Sequence, residues 1–516
     1  MTSNATQHSR VDVSGSGGVI AAGHPRSAQA GARVLRAGGN AVDAAVAAML
    51  TSFVAEPLLT GMGAGGYMLT AGFDPEPVLL DFFVVAPGRG GRATADARLL
   101  PVTVDFGDAT QVFHVGAASV GAWGMPAGIA EAMDRWGTVP LGDLVAPAAH
   151  LARAGVPLNA AQGYISAILE GILVSTAECA AVFAPGGRAL RAGDVMRWPE
   201  LADAMELLAA DGAAPFYDGA PAQAVVAWLA ERGGVLTGAD LSTYRTIPRE
   251  PVRAGYRGRT VLTNPPPNAG GPLLAAALLE LDRGPVSATR LVDVMESVQA
   301  ARTDRFVAGL AEDGFAERFL ARHLGNTTHV SAIDADGRAC SVTVTNGEGS
   351  GVVVPGTGMH PNNIMGEEDL NPMGFHAFPP GRRMPSMMAP TVVLGADGVQ
   401  LVLGSAGSNR IRSAILQTIV GVIDHGLDAP AAVHAPRMHF EDGGVFAEPG
   451  VPVDELVAAG REVVAFREQN LFFGGVQAVQ RRVGPDGAVT LTGAGDPRRG
   501  GAAVAAETSP GGLGLR

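Results

Sequence analysis

The chain has 516 residues, 47% hydrophobic and 17% charged, with a formal net charge of −13. That acidic balance argues against nucleic acid or an anionic membrane as partner, and the length is enough for a large buried core. Two cysteines, Cys179 and Cys340, are too few for a disulfide framework or a metal cluster and read as small buried residues.

The opening residues, Met1 to Arg10, lack the apolar core of an export signal, and no stretch is long and apolar enough to span a bilayer. A soluble, cytoplasmic protein is expected. Val19 to Ala22 reads as a short strand before His24-Pro25. Arg26 to Ala37 is a helix candidate ended by Gly38-Gly39, and Asn40 then caps a nearly all-apolar helix from Ala41 to Phe53. Gly61 to Gly66 satisfies G-x-G-x-x-G literally. A dinucleotide fingerprint, however, follows a strand and opens a helix, and here a helix precedes and the strand-like Tyr67 to Thr70 follows. Close backbone packing is the better reading.

Pro77 to Phe83 is a buried strand, and Gly121 to Gly128 a loop before a helix at Ile129 to Trp136. Further helices are expected at Leu141–Ala154, Leu201–Ala210, Ala222–Arg232 and Leu291–Ala308. The chain up to Asn326 therefore reads as mostly helical. Beyond it strands dominate, at Thr391–Leu394, Val399–Leu403, Gln477–Val483 and Ala488–Thr492, with one helix at Ile411–His425. His24, His114, His150 and His439 stand singly and read as structural; Glu367-Glu368-Asp369 reads as a solvated run.

At the junction, Thr328 to Ile333 alternates, Asp334-Ala335-Asp336-Gly337 turns, and Cys340 to Thr345 alternates again, which is a β-hairpin. If the chain were cut between Asn326 and Thr327, a hydroxyl and a new α-amino group would share one residue. Such an amine titrates near ~7.7–8.0 and can serve the hydroxyl as base, the Thr/N-terminal-amine form of nucleophilic catalysis.

The sequence resembles the γ-glutamyltransferase family of N-terminal-nucleophile (Ntn) hydrolases. The residues carrying the resemblance run from Gly38-Gly39-Asn40-Ala41-Val42-Asp43 and the Glu56-Pro57 with its glycine cluster to Trp136-Gly137-Thr138 and Phe216-Tyr217-Asp218-Gly219. They continue through Pro266-Pro267-Asn268-Ala269-Gly270-Gly271, Thr327-Thr328-His329-Val330-Ser331, Ala435-Pro436-Arg437 and Gly495-Asp496-Pro497-Arg498. The resemblance implies an α+β fold, a four-layer αββα sandwich. It implies self-cleavage into fragments 1–326 and 327–516 that stay together as a heterodimer. Thr327 would then attack a γ-glutamyl amide or another acyl amide, and pass the acyl group to water or to an amino-acid or peptide acceptor. No cofactor and no metal is implied.

By the same resemblance Thr345 hydrogen-bonds the nucleophile, and Gly407 and Ser408 supply the oxyanion-hole N–H groups. Ser386, Glu367 and Asn346 fall at or beside substrate-binding positions. The departures lie at the glutamyl carboxylate. Phe83 stands where the family has an arginine, Met387 where it has a second serine, Ile364 where it has a glutamine, and Gly347 where it has an asparagine. A phenyl ring cannot imitate a bidentate guanidinium. Either Arg382, Arg383 or Arg410 holds the carboxylate instead, or the acyl group differs, as in the family's cephalosporin (glutaryl) acylases. A catalytically silent, uncut scaffold is the third reading.

Overall fold

Alternating side chains in the hairpin demand two different surroundings, and the computed structural model provides them. It describes residues 10–14, 17–91, 97–105, 110–300, 327–371, 373–441 and 443–507. Thr328–Ile333 and Ala339–Thr345 are the central antiparallel pair of a seven-stranded sheet. Gly17–Ala22 and then Ala502–Glu507 flank the first; Gly65–Ala71, Val78–Phe82 and Ile247–Arg249 continue from the second. A second seven-stranded sheet, built around Gly398–Ala406 and Gly475–Val483, faces it.

Helices cover both outer faces. Pro25–Arg36 and Ala41–Ala55 pack on the first sheet, and Gly270–Leu281, Arg410–Ile423 and Ala429–His434 on the second. The architecture is the expected four-layer αββα sandwich. Strand parity divides the core. Ile20, Met68, Val330, Ala332 and Val342 pack toward the helices, while Val19, Tyr67, Leu69 and Ile333 pack between the sheets.

The inter-sheet layer also has a polar seam. His329 bridges Thr343 Oγ1 and Ser331 Oγ, each at 2.8 Å, and Ser331 Oγ donates across the gap to the Gln477 carbonyl. Ser341 Oγ donates to Leu403 O and accepts from Thr391 N. Removal from water lowers His329 to about 3, so it serves this seam as a neutral ring. Gly404 is required opposite it, because a Cβ there would stand 2.3 Å from His329 Cε1.

Ala41–Ala55 is buried along its whole length, as its composition requires. Asn40 and Asp43 form a reciprocal capping box, and Asp43 also accepts from Thr138 N and Oγ1. The Gly38–Asp43 and Trp136–Thr138 motifs are thus two halves of one helix cap. Gly63, Gly65 and Gly66 allow backbone contacts that a Cβ would close to 2.5–2.9 Å, in agreement with the packing reading of this cluster. Both cysteines are buried.

Several boundaries differ from expectation. The helix begins at Met125, ahead of Ile129, because Pro126 falls in the first helical turn, where its missing N–H is harmless. The helix expected to reach Ala308 is described over Ala288–Ala300, and its remainder and Asn326 lie outside the described residues. The part before Asn326 also carries more strand than expected: four strands of the first sheet and three of the second. Arg10–Ser14, Val252–Tyr256 and Arg259–Thr263 are short, with charged or glycine positions that obscure their alternation.

Two further motifs meet in a buried charge cluster. Arg437 reaches Asp496 at 2.7 Å, Arg498 pairs with Asp496 at 3.2 Å and with Glu448 at 2.5 Å. Asp496 Oδ2 also accepts from Val476 N at the head of an inner strand. Two guanidinium groups balance two carboxylates, so removing one charge leaves the others uncompensated in a dry site. Asp496→Asn is expected to lower unfolding free energy by about 3–5 kcal/mol, read from the urea midpoint at constant m.

Candidate active site

The hairpin register places its threonines. Thr328 pairs with Val344, so Thr345 lies across from Thr327 at the open end of the ladder. By alternation Thr327 shares a side with His329 and Ser331, and Thr328 turns to the helical layer. Thr327 is 3% exposed and lines a cleft of about 200 Å³. Its hydroxyl has no hydrogen-bond partner among the described residues.

Gly407 and Ser408 line the same cleft, where Gly398–Ala406 ends and Arg410–Ile423 begins. Both are left-handed, with φ of 118° and 55°. Gly407 is also confined, since a Cβ would meet Gly474 Cα at 2.6 Å. A serine in this conformation stores strain, which structures tolerate mainly at functional turns. The corner is braced from behind. Ser408 Oγ contacts Asn409 Oδ1, Asn409 Nδ2 donates to Glu441, and His439 stands between Glu441 and Ser413 Oγ. His439 thus has the structural role expected of it. His24 likewise caps a helix, accepting from Arg26 N.

The other predicted positions divide. Thr345 Oγ1 accepts from Gly347 N at 2.8 Å, shaping the turn beside Thr327, and does not make the hydrogen bond to the Thr327 hydroxyl that the resemblance implies. Asn346 is buried and donates to the His360 carbonyl. Gly347 and Glu348 line the cleft. Glu367 is 8% exposed, with Oε1 2.1 Å from where a Gly347 Cβ would stand, so it lies directly behind the cleft wall. The reading of Glu367 as part of a solvated run is therefore corrected; Glu368 matches it as an exposed residue.

Phe83 and Ser386 do not line this cleft. Phe83 is fully buried between the sheets, stacked on Tyr67 at 5.4 Å, and Ser386 Oγ accepts from Met388 N. Arg383 is committed to the interior, bonding the Phe83 carbonyl, Tyr244 and Asp81. Arg382 lies by Phe378. Of the three arginines considered, Arg410 alone lines the cleft.

The cleft also contains residues that sequence reasoning missed. Arg499 lines it beside Gly407; removal from water and nearby Arg410 lower its pKa to about 10 despite the Glu348 carboxylate. Its position immediately after the Asp496-Pro497-Arg498 motif was the available signal. Phe446, Phe466 and Phe472 form one wall, with ring centroids 5.0–6.5 Å apart. In a chain only 5% aromatic, four phenylalanines between 446 and 473 were a signal that no periodicity carried.

Glu56, at the C-terminal end of the buried helix, accepts from Thr328 Oγ1 at 3.1 Å. Burial raises its carboxyl to about 7, against the lowering effects of Thr328, Ser27 and Arg499. A group able to hold or release a proton near neutrality thus lies against Thr328, one residue from Thr327.

A threonine opening an inner strand of an αββα sandwich, facing a left-handed turn of two backbone amides, defines the Ntn-hydrolase class. The family model for gamma-glutamyltranspeptidase matches residues 27–309 and 309–506. The acylase ACY 1 proenzyme of Pseudomonas sp. (strain SE83) is 34% identical, covering 95% of this chain and 94% of that protein. The glutathione hydrolase proenzyme of Escherichia coli (strain K12) is 31% identical, covering 93% and 90%. The crystal structure of cephalosporin acylase from Bacillus halodurans superimposes with a TM-score of 0.78 at 28% identity, over 98% of both chains. The chain belongs to the γ-glutamyltranspeptidase family, and with it to the Ntn amidohydrolases and acyltransferases.

Glu56 gives a pH test. Its folded pKa lies above the unfolded value, so its contribution to stability is full below about 4.5 and is lost as pH rises through about 7. Glu56→Gln should remove this component. Between pH 5 and 7.5 the urea midpoint of the variant should fall less with rising pH than that of the wild type.

Proposed function

We propose that the chain cuts itself before Thr327 and then acts as an acylase on an amide whose acyl group lacks the α-amino carboxylate of glutamate. The observation carrying this reading is the convergence of Thr327, Gly407 and Ser408 on one cleft, while Phe83 and Ser386 stand outside it. In the uncut chain, Thr327 Oγ would attack the Asn326 carbonyl, the C–N bond would break, and water would hydrolyse the resulting ester. The products are an Asn326 carboxylate and a free α-amine on Thr327, held in one fold by the shared sheets.

In turnover the Thr327 hydroxyl attacks the amide carbonyl and its proton passes to the α-amine. The carbonyl oxygen becomes an oxyanion facing the Gly407 and Ser408 N–H groups; loss of one such donor costs about 2.7–4 kcal/mol. The leaving amine takes the proton, and water or an amine acceptor then releases the acyl group from Thr327. A serine at 408 keeps the backbone N–H, so the change from glycine costs no donor.

A γ-glutamyl amide is the second reading, favoured by one observation. Glu367 lies behind Gly347, within reach of an α-amino group placed at that wall.

Wild-type protein should run as two fragments, the smaller beginning Thr-Thr-His-Val, and Thr327→Ala should remain one chain of 52.4 kDa without amidase activity. Denaturing electrophoresis with N-terminal sequencing reads both. A glutaryl anilide should exceed the matching γ-glutamyl anilide in kcat/KM by about tenfold or more, a difference of ~1.4 kcal/mol. The reverse order would favour the second reading.

A further inference from the structure

Behind the cleft, one helix and one strand are laced together by polar side chains. Asn409, Ser413 and Gln417 recur every four residues along one face of the helix Arg410–Ile423 and its cap. They meet the strand Met438–Glu441 in reverse order. Gln417 exchanges two hydrogen bonds with the Met438 backbone, at 2.9 and 3.0 Å. Ser413 Oγ lies 2.8 Å from His439 Nδ1, and Asn409 Nδ2 donates to Glu441 Oε1. Four helical residues advance about 6.0 Å and two strand residues about 6.6 Å, so the two spacings match. Asn409 and Ser413 therefore fall opposite Glu441 and His439.

Asn409 departs from what its position favours. It is the N-cap residue, where an asparagine side chain ordinarily accepts from an N–H of the first helical turn, and here it makes no such bond. It is directed instead to Ser408 Oγ, 3.4 Å away, and to Glu441. The helix forgoes a cap, and the residue before it gains a brace.

Ser408 is the residue that needs one. It is held at φ 55°, in the left-handed region that a serine enters only under constraint. The carbonyls of Gly407 and Ser408 are engaged, accepting from Arg410 N and Ile411 N at 3.0 and 3.1 Å. Their own N–H groups donate to no acceptor among the described residues. If Ser408 relaxed to a negative φ, the peptide on either side would rotate and those two donors would diverge.

Resting on the reaction proposed at Thr327, we infer that Asn409 and Glu441 are positioning residues for it. They hold Ser408 in its left-handed conformation and so keep the Gly407 and Ser408 N–H groups convergent. Neither is among the described residues that line the cleft, so they act through the backbone and not on the substrate. Glu441 also has Arg410 as a charged neighbour, and the test separates its role as acceptor from its charge.

The readout is kcat per cleaved Thr327, on whichever anilide, glutaryl or γ-glutamyl, the wild type turns over faster. Asn409→Ala and Glu441→Ala should each lower kcat about tenfold or more and leave KM within about twofold, because the donors act on charge that develops in the transition state. Glu441→Gln keeps an acceptor for Asn409 and removes the charge; it should lose less than about threefold. Glycine takes a positive φ without strain, so the brace matters less where position 408 is glycine. In a Ser408→Gly background, Asn409→Ala should therefore cost less than about threefold, a coupling that a double-mutant cycle reads directly. A merely structural role for Asn409 would cost the same with serine or glycine at 408. Should Asn409→Ala leave the chain uncut, cleavage becomes the readout, and the Ser408→Gly/Asn409→Ala chain should be cut.

An unchanged kcat in Asn409→Ala, an equal loss in both backgrounds, or equal losses in Glu441→Gln and Glu441→Ala overturns the inference and leaves the reaction at Thr327 standing. A single and a double variant that both stay uncut do the same. A wild-type chain that stays uncut and turns over no amide overturns both.

Discussion

The site depends on the register of one central hairpin. Side chains along a strand have a period of two, so a one-residue slip of Thr328–Ile333 would exchange its two faces. Val330 and Ala332 would enter the polar seam, His329 and Ser331 would meet the apolar helix, and Thr327 would leave the cleft. Both faces are buried, and each resists the exchange. On one face His329 is held between Thr343 and Ser331, with Gly404 as the only fit below it. On the other, Thr328 is bonded to Glu56. The position of Thr327 is therefore specified by contacts several residues away, and by both flanking layers.

Around that hairpin the molecule places charge where water cannot reach it. Arg437, Arg498, Asp496 and Glu448 neutralise one another behind the cleft, and Asp496 couples them to the inner strand through Val476 N. Immediately after this cluster the chain delivers Arg499 to the cleft beside Gly407. A turn that carries a left-handed serine needs rigid backing, since a strained conformation persists only where its surroundings over-determine it. The bracing through Asn409 and Glu441 on one side and the Arg498 cluster on the other supplies that rigidity.

Much of this arrangement was legible in the sequence. The hairpin was visible because alternation and a turn signal coincided, and the buried helix because a nearly all-apolar run, Ala41 to Phe53, follows the Asn40 cap. The inverted order around the glycine cluster was enough to set a dinucleotide site aside. What escaped shares a physical character. Arg10–Ser14, Val252–Tyr256 and Arg259–Thr263 are short strands toward a sheet edge, where charged side chains interrupt the alternation. The aromatic wall comes from two short strands and a turn, so its phenylalanines share no period. Glu367 was read as solvated because it opens an acidic run. Burial at that position follows from Gly347, twenty residues earlier, whose missing Cβ leaves room for the carboxylate.

Phe83 belongs to a tightly packed part of the core. Its ring stacks on Tyr67 inside the inter-sheet core, while its carbonyl accepts from both Tyr244 and Arg383. Arg383 and Arg249 already share the buried carboxylate of Asp81, at 3.2 and 2.8 Å. A third guanidinium at position 83 would enter this region without a counter-charge, and an uncompensated buried charge is among the costlier substitutions a core can receive. Met387, fully buried, closes the neighbouring side. Phe83, Tyr67, Tyr244 and Arg383 are thus mutually packed, and a change at any one of them is felt by the others. The surfaces that share the cleft with Thr327 are of another kind: an aliphatic helix, an aromatic wall and the arginine stacked on it.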